Sequence, residues 1–234
     1  MQGNNYIIVG GSSGIGLALV KLISSAGGNV LVLSRTGEAL VGLPNVQHHT
    51  LDILTDEIPT EVVPAEIHGL AYCPGSIILK PFRSLKPEQF QTDFNINVLG
   101  AVKTLKACFK SLKKSGSGSV VLFSSVAAQH GMPFHASIAA AKGAIEGLTR
   151  SLSAEWAPNI RVNCIAPSLT DTPLAGRLLA TPEKKEASGQ RHPLKRVGEA
   201  AEIAEMGAFL LSNKTGWMTG QVIGLDGGMS RARV

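Results

Sequence analysis

Val9-Gly10-Gly11-Ser12-Ser13-Gly14-Ile15-Gly16 joins an apolar run, Tyr6 to Val9, to an amphipathic stretch carrying Leu17, Leu19, Val20, Leu22 and Ile23. Strand, glycine turn and helix in this order form a phosphate cradle. Gly10 permits a sharp exit from the strand and Gly14 lets backbone approach a pyrophosphate. Gly16 lets the new helix pack close on the sheet while its free N–H groups face the anion. Ser12 and Ser13 add hydroxyl donors to the same turn, next to Ile15. This context predicts nucleotide binding.

Further apolar runs continue the pattern: Val30 to Leu33, Val46 to Leu51, Gly69 to Cys73, Ser119 to Phe123, Ile160 to Ile165 and Gln221 to Leu225. Seven strands alternating with helical stretches predict an α/β fold, a doubly wound, Rossmann-like parallel sheet covered on both faces. Residues 1–234 read as one domain, because no linker or internal repeat divides them. Gly27-Gly28 is a left-handed stop for the first helix. Pro59 and Pro64 predict little helix between Asp52 and His68.

Composition excludes several classes of function. The net charge of +5 is scattered, and the short run Lys113-Lys114 closes a helix and complements its dipole, so nucleic acid is not an expected partner. Cys73, Cys108 and Cys164 stand far apart in apolar contexts and read as reduced core thiols. The start of the chain enters a strand with no basic-apolar leader, and no apolar run is long enough to span a bilayer. A cytoplasmic protein without a membrane partner is expected. His48-His49 has no metal-ligand partners at useful spacing, so no metal site is expected.

Two long helical patterns each carry one misfit. After Pro87 the stripe Phe90, Phe94, Asn97, Ala101, Leu105, Cys108, Leu112 places an amide in an apolar row. Asn97 either props a distortion of its own helix or points into a site. From about Ser137 to Trp156 one face carries Ile138, Lys142, Ile145, Thr149 and Leu152. Lys142 either snorkels to the rim or is held by a ligand rich in hydroxyls or phosphate.

Together these pieces resemble the short-chain dehydrogenase/reductase family in its single-domain branch, over nearly the whole chain. The likeness rests on Gly10, Gly14 and Gly16, on Asp52, on the Asn97 helix, on Ser124-Ser125 and on Lys142. It continues through Asn163-Cys164-Ile165-Ala166-Pro167, Pro193-Leu194-Lys195-Arg196-Val197-Gly198, Thr219-Gly220-Gln221 and Asp226-Gly227-Gly228. The resemblance implies that Asp52 lies beside the adenine ring, that Gly75 and Pro167 border the cofactor and that Asn97 holds water. It further implies that Ser125 orients a substrate carbonyl and that Lys142 binds the nicotinamide ribose hydroxyls. Val9, Tyr72-Cys73-Pro74-Gly75 and Ser168 depart from the family pattern at structural turns.

One departure touches the chemistry. The family's acid is a tyrosine four residues before the lysine and thirteen after the serine, and both spacings fall on Ile138. One helical turn separates 138 from 142, so both side chains face one cleft. Isoleucine has no proton to give, and a positioned acid is worth roughly 10² to 10⁴ in rate. Hydride positioning and polarisation by Ser125 are separate contributions and survive its loss. His135, three residues upstream, is the tentative substitute, with water or the substrate itself as alternatives. Tyr72 ends a strand on the adenosine side and is a poor candidate; Ser137 points about 100° away around the helix.

The second strand ends Leu33-Ser34-Arg35-Thr36 with no carboxylate at its tip. Arg35 can pair with a 2'-phosphate and Ser34 with Thr36 offers hydroxyls, which favours NADP(H) over NAD(H). The segment from about Pro173 to Val197 corresponds to the family's mobile substrate lid. Small residues such as Ala139-Ala140-Ala141 and Gly143-Ala144 suit close helix packing between subunits, and the resemblance implies a homodimer or homotetramer. Two functions compete: an NADP(H)-dependent oxidoreductase acting on a small-molecule carbonyl or alcohol, and a non-catalytic NADP(H)-binding pseudoenzyme that senses or scaffolds.

Overall fold

The computed structural model describes residues 1–232. The strands are β1 (Asn5–Val9), β2 (Asn29–Ser34), β3 (Val46–Thr50), β4 (Gly69–Tyr72), β5 (Gly118–Phe123), β6 (Ile160–Pro167), β7 (Thr170–Asp171), β8 (Gly198–Glu199) and β9 (Val222–Leu225). Seven of them form one parallel sheet in the order β3-β2-β1-β4-β5-β6-β9, while β7 and β8 pair separately beside it. The helices are α1 (Gly14–Ser25), α2 (Pro87–Phe94), α3 (Gly100–Lys114), α4 (Ala136–Trp156), α5 (Pro182–Gln190) and α6 (Ala200–Leu211).

Alternation along each strand feeds two cores. Ile7 and Val9 of β1 face Leu105, Cys108, Ala141 and Ile145 of α3 and α4. Tyr6 and Ile8 face Leu19, Val20 and Ile23 of α1, with Ile203 and Leu211 of α6. The central strands are therefore dry on both faces, and strands buried on two sides are continuously apolar for that reason, while the edge strands β3 and β9 stay partly exposed. The chain winds outward from β1 to β3, then returns to β4 on the other side of β1. That reversal leaves a crevice beyond the carboxyl ends of β1 and β4, where ligands of such sheets bind.

The expected boundaries agree closely with these strands and with the second long helix. Gly27 takes a left-handed φ of +77° after α1, and Gly28 N–H donates back to the Ile23 carbonyl. Residues 52–68 contain turns and no helix. The helix after Pro87 differs from a continuous α stripe. A π turn at Asn95–Leu99 separates α2 from α3, and its extra residue rotates the phase of the buried face. Phe94, assigned above to the inward row, is 38% exposed, and Asp93 is buried in its place.

Candidate active site

Close backbone packing builds the glycine turn. Gly10 and Gly14 have φ of +73° and +51°, and a Cβ on Gly16 would stand 2.3 Å from the Gly10 carbonyl oxygen. No other residue type fits there without moving main chain. Ser13 occupies the N-cap of α1 without a capping side-chain bond, and the first turn carries no acid. The opening amides of α1 thus keep the unpaired character that makes a helix start an anion site. Thr36 Oγ1 donates to Ser12 Oγ at 3.3 Å, which ties the loop after β2 to this turn. Ser34 is buried, and its hydroxyl donates to the Thr36 carbonyl at 2.9 Å. Of the three side chains expected to meet a 2'-phosphate, Ser34 spends its proton inside its own loop, which leaves exposed Arg35 as the cation. Asp52 is likewise used locally, accepting from the Leu54 N–H at 3.0 Å.

Beyond the sheet's carboxyl edge lies a cavity of about 300 Å³ lined by Ile15, Gly75, Ser125, His135, Ile138, Lys142 and Pro167, with Leu174 and Leu178 from the segment between β7 and α5. Ser125 Oγ accepts the Ala127 N–H at 3.2 Å. That bond uses a lone pair and leaves the hydroxyl proton free for an acceptor in the cavity. Ser124 points the other way, donating to Glu146 Oε1 of α4 at 2.8 Å, and so fixes the tip of β5 on that helix.

Lys142 does not snorkel to the rim. It is 9% exposed and Nζ donates to the Phe123 carbonyl at 2.9 Å. Burial pulls its pKa down to about 8. One of three ammonium protons is spent on Phe123, and no other protein acceptor meets the ammonium among the described residues.

Asn97 props a distortion of its own helix, the first of the two alternatives. Its Nδ2 donates to the Asp93 carbonyl at 2.8 Å and to Ser76 Oγ at 2.9 Å, filling the π turn. Its Oδ1 is buried without a protein partner. A Cβ placed on Gly75 would lie 3.5 Å from that oxygen and 3.9 Å from Lys142 Nζ, so the orphan acceptor and the ammonium flank the same glycine. A buried carbonyl left unpaired is costly unless a water or ligand meets it.

Behind Asn97, sequence reasoning missed a polar brace. Asp93, fully buried, accepts from Ser76 at 2.5 Å and from Ser137 at 2.6 Å. Ser137 turns away from Ile138 as its helical angle requires and clamps α4 to α2. The i, i+4 spacing of Asp93 and Asn97 was the available signal.

Ile138 is 4% exposed and stands one turn ahead of Lys142 on the cavity wall. Tyr72 is no donor to this cavity: its hydroxyl donates to the Ile96 carbonyl at 2.6 Å, and burial pushes its pKa up. His135 is half-buried on the lining, with Nδ1 2.7 Å from the Pro133 carbonyl. The cysteines are free thiols, with Cys108 and Cys164 buried. Among the described residues no three His, Cys, Asp or Glu side chains gather as a metal site, and no helix is long and apolar enough to cross a membrane.

Comparison with known proteins places this geometry among relatives. A family model described as enoyl-(acyl carrier protein) reductase matches residues 9–230. A tropinone reductase homologue of Arabidopsis thaliana is 34% identical over 98% of this chain and 94% of its own length. The L-xylulose reductase of Mus musculus is 30% identical over 97% of both chains. A short-chain type dehydrogenase/reductase from Mycobacterium ulcerans superposes with a TM-score of 0.90 at 28% identity, over 100% of this chain and 92% of that one.

Proposed function

The chain belongs to the short-chain dehydrogenase/reductase family, and from that premise we propose an NADP(H)-dependent oxidoreductase that interconverts a small-molecule carbonyl and its alcohol without the usual tyrosine acid. One observation carries the reading: the free hydroxyl proton of Ser125 and the ammonium of Lys142 line one apolar cavity that reaches Ile15 of the glycine turn, and the orphan Oδ1 of Asn97 stands beside Gly75 of its wall.

The residues present fit a nicotinamide dinucleotide. Gly10, Gly14 and Gly16 with Ser12, Ser13 and Ile15 would hold the pyrophosphate at the start of α1. Arg35 would pair a 2'-phosphate, Asp52 and Gly75 would flank the adenosine side, and Pro167 would back the nicotinamide. When bound, the coenzyme supplies or takes up the hydride. Lys142 would hold the ribose hydroxyls with the ammonium protons left over from Phe123. Ser125 donates to the substrate oxygen, polarising the carbonyl where negative charge develops. Asn97 Oδ1 accepts from a water that joins it to Lys142. The apolar lid residues Leu174 and Leu178 exclude bulk water from the cavity. The proton itself comes from His135, water or a second group on the wall, since Ile138 offers none.

Tropinone-type and xylulose reductases among the relatives support a carbonyl or alcohol as substrate. Free thiols support a reducing, cytoplasmic setting. Gly143 and Gly147 of α4 have open space where a Cβ would project, which supports close contact with a second copy in a homodimer or homotetramer. Buried Ile138, filling the position of the family acid, favours the competing reading of a cofactor-binding pseudoenzyme.

NADPH oxidation against ketones, quinones and acyl thioesters decides between them when wild type is run beside Ile138→Tyr. The enzyme reading expects measurable turnover from wild type, with Ile138→Tyr at least as fast on the same substrate. Silence of wild type on every class with brisk turnover by Ile138→Tyr establishes the pseudoenzyme.

A further inference from the structure

Ser168 and His192 form a hydrogen-bonded pair on the wall of the cavity that holds Ser125, Ile138 and Lys142. Ser168 Oγ lies 2.8 Å from His192 Nε2. On the far side of the ring, Nδ1 lies 3.0 Å from the Ser188 carbonyl oxygen. A carbonyl only accepts, so Nδ1 carries a hydrogen and the neutral ring presents Nε2 as a bare acceptor to the serine. The imidazole is 2% exposed. A hydroxyl, a buried base and a group that fixes the base's tautomer together make the arrangement by which proteins move a proton at a chosen oxygen.

Position strengthens the point. Phe123 pairs with Ile165 across β5 and β6, and Ser124 N–H donates to the Ile165 carbonyl. Ser125 and Ser168 therefore leave neighbouring strands at the same end. Ser168 replaces the glycine expected after Ala166-Pro167, and its φ is not left-handed, so the backbone does not demand glycine there. Ser168 and His192 also line a second cleft of about 290 Å³ on their other side, shared with Asp226 and Arg196. The pair stands between the reaction cavity and that cleft.

Resting on the carbonyl-reductase reading, we infer that Ser168 is the acid of this active site and His192 its proton reservoir, in place of the phenol that Ile138 lacks. With the imidazolium charged, Nε2–H donates to Ser168 Oγ and the serine hydroxyl is released from the ring. Its alternative contact, Met229 Sδ at 3.4 Å, is a weak acceptor that a substrate oxygen displaces. In reduction, a bound dihydronicotinamide would supply the hydride, with its electron pair, to the carbonyl carbon. The carbonyl oxygen takes the Ser168 Oγ proton as that bond breaks, and Oγ takes the proton from Nε2. The products are the alcohol, the oxidised coenzyme and a neutral imidazole, which is recharged from solvent through the second cleft. Oxidation runs the same transfers in reverse. Ser168 touches the substrate; His192 acts through it.

The decisive variant is Ser168→Gly, which restores the family's ordinary residue and removes the hydroxymethyl group, with Ser168→Ala, which removes the hydroxyl alone, beside it. The inference expects kcat to fall by roughly 10² or more, with KM and the calorimetric Kd for NADPH within about threefold of wild type. Adding Ile138→Tyr to Ser168→Gly is expected to restore turnover, because the phenol replaces the lost acid; a merely structural defect would not be rescued. His192→Gln should lower kcat comparably. Independently of activity, nitrogen NMR of the coenzyme-free protein is expected to show His192 protonated at Nδ1, with an Nε2 resonance that moves in Ser168→Gly. Turnover by Ser168→Gly near the wild-type rate overturns the inference, as does loss of activity in His135→Ala but not in Ser168→Gly. Wild type inactive on every carbonyl overturns the reductase reading itself, and the relay with it.

Discussion

The glycine turn after β1 and the cavity wall between β5, α4 and the lid are two ends of one crevice built on opposite principles. At the turn, recognition belongs to the main chain. Gly16 is there because the Gly10 carbonyl leaves no room for a Cβ, and the amides that result are indifferent to which side chains surround them. At the wall, everything depends on side chains brought from distant elements: Ser125 from the end of β5, Lys142 from α4, Asn97 from a π turn, Ser168 from just after β6 and His192 from just after α5. A main-chain site tolerates few substitutions but needs no chemistry from them. A side-chain site can lose one functional group and keep its shape. Hence the two ends should respond to mutation differently, the first through sterics and the second through charge and protons.

The largest effect is expected at the turn. Gly16→Val drives a branched side chain into backbone at Gly10, where a Cβ alone would already be 2.3 Å from the carbonyl oxygen. Overpacking of this kind costs roughly 1–3 kcal/mol, and contact with rigid main chain puts it at or above the upper end. Thermal unfolding should show a drop of about 6 °C or more, and calorimetry should show NADPH affinity falling by at least about a hundredfold. Near-wild-type affinity in this variant would break the comparison, because the cradle would not be set by close backbone approach.

At the wall the expected sign is reversed. The ammonium of Lys142 has its pKa pulled down by burial to about 8 from 10.5. The folded chain sheds this proton before the unfolded chain does, so the group raises stability as pH climbs through the window from about 8 to 10.5. Below that window the buried charge costs about 3 kcal/mol, offset by roughly 1 kcal/mol for the bond to Phe123. Lys142→Met should therefore melt about 5 °C above wild type at pH 7, and the gap should close toward pH 10 while coenzyme binding weakens at every pH. A variant that melts below wild type at pH 7 would mean that the ammonium stabilises the cavity instead of straining it.

The same division explains what could be read in advance. Strand alternation, the glycines and the Lys142 face are local signals, fixed by steric rules that act within a few residues, and the sheet follows from them. The Phe94 assignment failed because an inserted π turn shifts the helical phase without any local mark except the ambiguous amide at Asn97. Asp93 meeting Ser76 and Ser137, and Ser168 meeting His192, are side-chain contacts across 17, 44 and 24 residues of chain. No periodicity encodes such meetings. They exist only once the sheet has brought the loops at its carboxyl edge together.

Arg35 stands at the border between the two regimes and should give the smallest effect. It is an exposed side chain beside a main-chain cradle, next to Ser34, whose proton is committed to Thr36, and to Thr36, which reaches the turn through Ser12. Its guanidinium is therefore the one cation of the loop between β2 and β3, and solvent screens it. An exposed charge-assisted contact to a 2'-phosphate is worth about 1.4 kcal/mol, or tenfold in affinity. Titration of wild type should show NADP(H) binding about tenfold tighter than NAD(H), and Arg35→Ala should bring the two together by weakening NADP(H) alone. Equal loss for both coenzymes would move Arg35 from phosphate recognition to support of the turn, and an unchanged preference would place the discrimination elsewhere in the crevice.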